Sequence, residues 1–379
     1  MKGETGLSNN VKQTRTRMGL SQQDLANQAG VTRQTIGGVE AGLFAPSATV
    51  ALRLAKALGC RVDELFWLEE DLPAIEAGPV AGVPAGRDLR VALARVGGRW
   101  VAHPLFGDDA FRSELIPADG VGVKATIGDD AMRVRPLYDP ATLPHSAVLA
   151  GCSPALSLWA RAAERWHPGL RVHWIFANSM AALGSLTRGE VHAAGMHLYD
   201  PESGEHNVPF VRRAMPGRAA VLINLGIWDE GFVVGAGNPL GIRAGADLAQ
   251  PGVRIVNREE GAGSRQMLER ELVSAHVPCA AVSGYDRVVT GHIEVAREVA
   301  AGRADAGVTT AAVAAAFGLG FVPLHSVRYD MVVLKEYLAE PPIAELFGTL
   351  SHRWVRSQLE ALGGYDTALT GEVVATIDA

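Results

Sequence analysis

The 379-residue chain is short of cysteine, of aromatic residues (6%) and of long apolar runs, and each shortage closes off a class of protein. Its three cysteines, Cys60, Cys152 and Cys279, are odd in number and widely scattered. That excludes a disulfide framework or a closely spaced metal site and predicts reduced, buried or half-buried thiols. No run is apolar over the length a bilayer requires, so no membrane contact is expected. The polar N-terminus, MKGETGLSNNVKQ, lacks the apolar core of a secretory leader, which predicts a cytoplasmic protein. Positive charge is also scarce overall: the formal net charge is −6. The whole surface is therefore no polyanion binder, and any nucleic-acid contact must be local. There is no dinucleotide fingerprint, no metal-ligand spacing and no recognisable nucleophile–base motif, so an enzyme is not expected and no cofactor is assigned.

What is present is ordinary globular material, 48% hydrophobic and 20% charged, in a length that suits two or three domains. Residues 6–70 read as short helices. Ser21 caps a helix that carries Asp24 in its first turn, and Leu25, Ala26 and Ala29 form its inner face. Gly30 stops it, and Thr32 caps the next helix, Arg33–Glu40. A longer amphipathic helix, Ser47–Leu58, has Val50, Leu52, Leu54, Ala55 and Leu58 as apolar points, and a last helix starts at Val62. Two short helices joined by a Gly-containing turn, the second with small polar and basic residues at its start, suit a DNA major groove. Charge agrees: residues 1–61 carry eight Lys or Arg and three Asp or Glu, a local +5 (8 − 3) within a chain of net −6.

Residues 8–66 resemble the phage-repressor (XRE) type of helix-turn-helix domain, in Arg15, Leu25-Ala26, Glu40, Pro46-Ser47, Leu52–Leu58 and Asp63-Glu-Leu-Phe66. The resemblance implies a dimer on double-stranded operator DNA, with Gln22, Thr32, Arg33, Gln34 and Thr35 facing it. Gly37-Gly38 departs from the family pattern, and each glycine costs up to about 1 kcal/mol in a helix interior. A recognition helix that is short or soft at its C-terminal end is therefore expected.

Residues 71–86 are rich in Pro, Gly and Ala and read as a linker. Residues 87–145 read as a β-rich connecting segment, in LRVALARV, GRWVAHPL, VGVKATIG and AMRVRPLY. From 146 onward strands and helices alternate, the pattern of a largely parallel α/β arrangement. Thr187–Gly195 is echoed weakly by Ala301–Gly307, as two similar lobes would produce.

Three strand-to-helix junctions carry hydroxyls or free N–H groups: Gly151–Pro154, Ala177–Met180 and Arg258–Arg265. Helix starts of this kind favour anions, and three such loops can converge in one cleft. Residues 146–379 resemble periplasmic-binding-protein-like type II domains, in Ala150–Ala155, Asn257–Arg265, Gly284-Tyr-Asp286, Gly291-His292, Ala304–Val308 and Ala316–Pro323. The resemblance implies two lobes, about 146–230 with 328–379 and about 231–327, joined by crossings near Trp228–Val233 and Val327–Met331. It implies a small ligand between them, with molybdate or tungstate as the first oxyanion to consider. The ligand set expected is Ser153, Asn178, Ser179, Arg258, Gly263, Ser264, Arg265 and His292. In many relatives an acid stands at the position of Ser153. His167, His173, His192, His197 and His206 share no helix face at ligand spacing and read as structural or surface residues.

The fold class expected is thus multidomain: an all-α helix-turn-helix domain, a small β-rich segment and an α/β two-lobed domain. The function expected is a ligand-responsive regulator of transcription. An enzyme, or a DNA-bound scaffold indifferent to ligand, is the alternative.

Overall fold

The computed structural model describes residues 7–68, 74–81, 88–105, 117–123, 131–137, 139, 143 and 145–379. It forms two units, Met1–Pro73 and Ala74–Ala379.

Among the described residues, the first unit has five helices: α1 (Val11–Arg17), α2 (Gln22–Ala29), α3 (Arg33–Glu40), α4 (Ala48–Leu58) and α5 (Val62–Leu65). Short strands Leu7–Asn9 and Phe66–Leu68 pair antiparallel and bring its ends together. Each helix start is set locally. Ser21 and Asp24 make a reciprocal capping box, Thr32 Oγ1 accepts from the Thr35 N–H, and Ser47 Oγ accepts from the Val50 N–H. Gly30 and Gly59, at φ 65° and 64°, end α2 and α4 in the left-handed region. Leu25, Ile36, Leu54 and Leu65 are wholly buried among these helices. Leu52, expected on the inner face of α4, is 62% exposed. The buried stripe is Ala51, Leu54, Ala55 and Leu58, at helical spacing, and position 52 falls off it.

Helix α3 runs unbroken to Glu40, against the expectation of a soft end. The reason is packing. A Cβ on Gly38 would lie 2.3 Å from Phe44 Cε1, so the aromatic ring occupies the space a side chain would fill. The helix gives up propensity and gains a close contact with a half-exposed ring.

The second unit begins with a closed barrel, strand order Ile75–Pro79, Arg99–Pro104, Asp88–Val96, Gly120–Val123, Met132–Pro136. Ile75–Pro79 lies inside the segment read as a linker, so the linker reading is corrected there: Ile75 and Ala77 are buried and pair with Val134 and Met132. Residues 71–73 and 82–86 of that segment, and 124–128 of the VGVKATIG stretch, lie outside the described residues. The barrel is no mere connector. Ile75, Val91, Leu93, Ala102, Met132 and Val134 give it its own core. Ala94, Val96 and Val101 join the core of the α/β domain. Asp119, buried, accepts from the Leu93 N–H at 2.8 Å and from Arg171 Nη2 at 2.9 Å. His192 accepts from the Val148 N–H at 2.9 Å and reaches the Arg95 carbonyl at 2.9 Å.

A ten-stranded sheet organises the rest. Ala193–Met196, Ser146–Gly151 and Arg171–Phe176 run parallel at one end. Ala306–Thr310, Ile255–Arg258 and Val288–Val289 run parallel at the other. Two long antiparallel strands, Ala220–Val234 and Gly320–Leu334, lie between and belong to both ends. They are the crossings, with Trp228 opposite Val327 and Asn224 opposite Asp330. Helices from each half cover the sheet and make two lobes. The sequence echo has a structural counterpart: Gly189 and Gly302, at φ 68° and 67°, each turn the chain from a helix into a buried strand.

Candidate functional site

The lobes meet where the crossing strands bulge. The pairing slips between Asn224 and Gly226 and again between Glu230 and Gly231. A bulge re-aims side chains, and here Glu230 and Trp228 turn into the gap between the lobes, both buried. Gly231 lets the strands come this close, because a Cβ there would lie 2.1 Å from the Val322 carbonyl oxygen.

From the first lobe come Cys152 and Ser153, at the end of strand Ser146–Gly151, then Ser179 at the start of helix Ser179–Thr187, and His197 just after strand Ala193–Met196. From the second come Arg258, Ser264 and His292, the last two in the first turns of helices Gly263–Ser274 and His292–Ala300. Cys152 Sγ lies 3.6 Å from His197 Nδ1 and 3.7 Å from His292 Nε2. His197 Nε2 is 3.7 Å from Glu230 Oε2. Ser264 donates to the other oxygen of Glu230. Ser179 Oγ accepts from the His197 N–H at 3.2 Å. Trp228, Tyr329 and His197 stack or tilt on one another at centroid distances of 4.8–5.7 Å.

The lobes are shut on each other. Asn178 Nδ2 donates to the Glu260 carbonyl at 3.0 Å, and the Met180 N–H to that of Gly261 at 3.3 Å. Gly263 packs so tightly on the first lobe that a Cβ would meet the His197 carbonyl oxygen at 2.3 Å.

The electrostatics of the gap follow from burial and pairing. Burial works against a charged His197, but Cys152 and Glu230 outweigh it and push the imidazole up to about 10. Burial would raise Glu230, yet His197 beside it pulls the carboxyl down to about 2. His292 is driven well below its ordinary value by burial and by the Arg258 charge. Arg258 is 1% exposed and is held by Glu259 at 2.7 and 2.9 Å. Its Nη1, together with Trp228 Nε1, His197 Nε2 and Glu230 Oε2, has no hydrogen-bond partner among the described residues.

Of the eight residues expected at the ligand, Ser179, Ser264 and His292 sit against His197, Glu230 and Cys152. Arg258 interacts with Cys152 and Glu230. Gly263 lies against His197. Ser153 is buried and faces Tyr365, with the hydroxyls 3.5 Å apart. Two are elsewhere. Arg265 pairs with Glu269 at 3.0 Å, lies over the Tyr285 ring and donates to the Arg258 carbonyl at 3.3 Å, so its guanidinium is engaged within its own lobe. Asn178 caps its helix by accepting from the Ala181 N–H and latches the lobes. His197, read as structural or surface, is instead at the centre. Cys152, Glu230 and Trp228 were missed, because no local spacing marks residues that meet only across a sheet. In space, Cys152, His197 and Glu230 lie in succession, at 3.6 and 3.7 Å.

On the first unit, Arg33 and Gln34 are exposed at the start of α3. Thr32 and Thr35 share a hydroxyl contact of 2.8 Å beside the cap. Gln22 Nε2 donates to Glu40 at 2.9 Å, and Glu40 is gripped by Arg15. Gln22 thus ties α2 to α3.

A helix-turn-helix family model matches residues 11–65, and a PBP superfamily domain model matches residues 160–351. The uncharacterized protein YvgK of Bacillus subtilis is 36% identical over 199 residues, 52% of this chain and 64% of that protein. The chain therefore spans just under two thirds of YvgK. The uncharacterized HTH-type transcriptional regulator YgzD of Bacillus subtilis is 43% identical over 65 residues, 17% of this chain and 98% of that protein. Among solved structures, an ABC-type phosphate transport receptor from Vibrio cholerae aligns with a TM-score of 0.40 at 16% identity, over 58% of this chain and 98% of the receptor. Among the described residues, no helix is long and apolar enough to cross a membrane. The chain belongs to the PBP superfamily domain family and carries an XRE-type helix-turn-helix domain at its N-terminus.

Proposed function

We propose that this protein is a one-component, ligand-responsive regulator of transcription: a cytoplasmic homodimer that binds operator DNA through α3 and holds a small anion between its lobes. The observation that carries the reading is the set of buried polar atoms at the crossing strands. Two of them, Arg258 Nη1 and Trp228 Nε1, are nitrogens that donate and have no acceptor among the described residues, while His197 Nε2 has Glu230 Oε2 only at 3.7 Å. A buried donor left unpaired costs roughly 1–3 kcal/mol, so a ligand that supplies acceptors is strongly favoured there. The protein's own charges in the gap, Arg258 and His197 against Glu230 and Glu259, balance. A compact ligand held by N–H and O–H dipoles fits such a site, and a tetrahedral oxyanion of the molybdate or tungstate kind is the first class to test. Serine hydroxyls 153 and 179 add to the donor set.

Ligand binding then stabilises the shut form by the difference in its affinity for the shut and open forms, and operator affinity follows that equilibrium. The test is a thermal-shift titration of the full chain with molybdate, tungstate, phosphate, sulfate and small carboxylates, paired with fluorescence anisotropy on operator DNA. A ligand at 100 times its Kd stabilises by about 2.7 kcal/mol. A selective shift that is lost in Arg258→Ala and alters DNA affinity supports the reading. No shift with any anion overturns the anionic ligand and leaves the DNA-binding half standing.

A second reading has an observation of its own. Cys152, His197 and Glu230 stand in the order nucleophile, base and orienting carboxylate, at 3.6 and 3.7 Å. An enzyme would turn a thioester or ester probe over, with activity lost in Cys152→Ser. A sensor returns its ligand unchanged.

A further inference from the structure

The geometry points to a transition-metal site in the gap: we infer that Cys152, His197 and His292 are three ligands for a Zn2+-class ion, with a fourth position open. This deepens the reading of the interlobe space as the sensory site. The three donor atoms come from both lobes, are buried, and lie within 4.8 Å of one another. Two of the three spacings are close to what an ion demands, and the third, between the two imidazole nitrogens, lies within 4.8 Å and closes to about 3.3–3.4 Å around a bound ion. With Zn–S about 2.3 Å and Zn–N about 2.0–2.1 Å, a tetrahedral ion needs sulfur–nitrogen edges of about 3.5–3.6 Å. The edges from Cys152 Sγ to His197 Nδ1 and His292 Nε2 are 3.6 and 3.7 Å.

The outer partners agree independently. A metal-bound histidine offers one ring nitrogen to the ion and the other to an oxygen that fixes the ring. His197 turns Nδ1 to the cluster and Nε2 to Glu230 at 3.7 Å. His292 turns Nε2 to the cluster and Nδ1 to Thr309 Oγ1 at 3.5 Å. Each ring turns one nitrogen to the sulfur and the other to an oxygen, and on His197 the Ser179 hydroxyl also lies 3.4 Å from Nδ1. Glu230 Oε2 is buried and lacks a hydrogen-bond partner among the described residues, so it is available to take the Nε2 proton of a metal-bound His197.

Charge completes the case. A dipositive ion faces one thiolate and the Glu230 carboxylate, while Arg258 is already matched by Glu259. A thiolate with two imidazoles selects zinc or copper(I) over hard ions such as Mg2+ and Ca2+. Three protein ligands with an open fourth position is the arrangement that accepts an exchangeable anion or water. Arg258 Nη1, unpaired, is suited to meet an anion bound there. Metal and anion would then hold the lobes shut together, since Cys152 and His197 belong to one lobe and His292 to the other.

The test is metal analysis and Co2+ titration of the full-length protein in a Cys60→Ser/Cys279→Ser background, which leaves Cys152 as its single thiol. The expected result is one Zn2+ or Co2+ per chain and an intense thiolate-to-cobalt charge-transfer band. Cys152→Ser abolishes the band while circular dichroism stays native, and His292→Ala weakens Co2+ binding at least tenfold. Glu230→Gln, a positioning variant, weakens it by about 10- to 100-fold. No stoichiometric metal and no band, in protein shown to be folded, overturns the inference. So does a band that survives Cys152→Ser. An anion-dependent thermal shift measured in metal-free protein separates the two claims. If the anion shift is present and the protein takes up no stoichiometric metal, the sensor stands and the metal site falls; if metal binds but neither metal nor anion changes operator affinity, the reverse holds.

Discussion

His103 lies in the barrel strand Arg99–Pro104, buried, and its Nε2 lacks a hydrogen-bond partner among the described residues. Burial lowers its imidazole to about 4, against a smaller opposite pull from Glu190. An imidazole held down in the folded state is protonated more readily when unfolded. The stability it confers is fully present above about pH 6.5 and is lost as the pH falls toward 4, a swing of about 3 kcal/mol. Urea midpoints between pH 7 and pH 4 should fall accordingly, and His103→Gln should flatten that part of the profile. On the other unit, Arg33 is exposed at the start of α3. Arg33→Ala is expected to weaken specific operator binding by about 1–3 kcal/mol with little change in melting temperature. Anisotropy on matched and mutated operators checks it, and equal loss on every sequence would make Arg33 a phosphate contact instead.

At the level of elements, the recognition helix contains two glycines in different surroundings. Gly38 faces the Phe44 ring at 2.3 Å from an ideal Cβ, whereas Gly37 has only Gln22 Nε2 near it, at 3.9 Å. Gly38→Ala must push the half-exposed Phe44 ring outward, so it should gain about 1 kcal/mol less than the Gly37 substitution. Gly37→Ala should stabilise it by up to about 1 kcal/mol through helix propensity alone. Chemical denaturation of the two variants decides between this and a helix limited by its glycines generally, in which both would stabilise alike. The crossing strands follow the same logic at larger scale. Each spans 15 residues and serves both lobes, and their bulges coincide with the residues that enter the gap.

For the whole two-lobed domain, a close contact between the lobes is Gly263 against His197. A methyl group there would stand 2.3 Å from a backbone carbonyl on the opposite lobe, where no flexible side chain can yield. Gly263→Ala should leave each lobe folded and hold the gap open. Hydrogen exchange is expected to rise in residues 177–181 and 259–264, where Asn178 and Met180 now latch onto Glu260 and Gly261. The thermal shift with ligand should vanish as well. Unchanged exchange in those segments would mean that the lobes still shut. Asp119 and His192 tie the barrel to the strands of the first lobe.

The sequence by itself determined everything that depends on neighbours along the chain. The caps at Ser21, Thr32 and Ser47, the glycine stops at 30 and 59, the local positive charge and the alternation of strand and helix after 146 are short-range matters. Together they specify the helix-turn-helix domain and the two-lobed α/β class. The junction loops were legible for the same reason: a hydroxyl at a helix start is visible in four residues. Tertiary structure alone decided what those loops meet. Cys152, His197, Glu230 and His292 are separated by dozens of residues and come together because two crossing strands bring the lobes face to face. No periodicity marks such a meeting, so His197 read as structural and Cys152 as inert. Arg265 shows the converse: its loop reads as an anion site, but one more step around a helix carries the side chain to Glu269. The barrel was hidden in the same way, since closure depends on pairing Ile75–Pro79 with Met132–Pro136, more than fifty residues on.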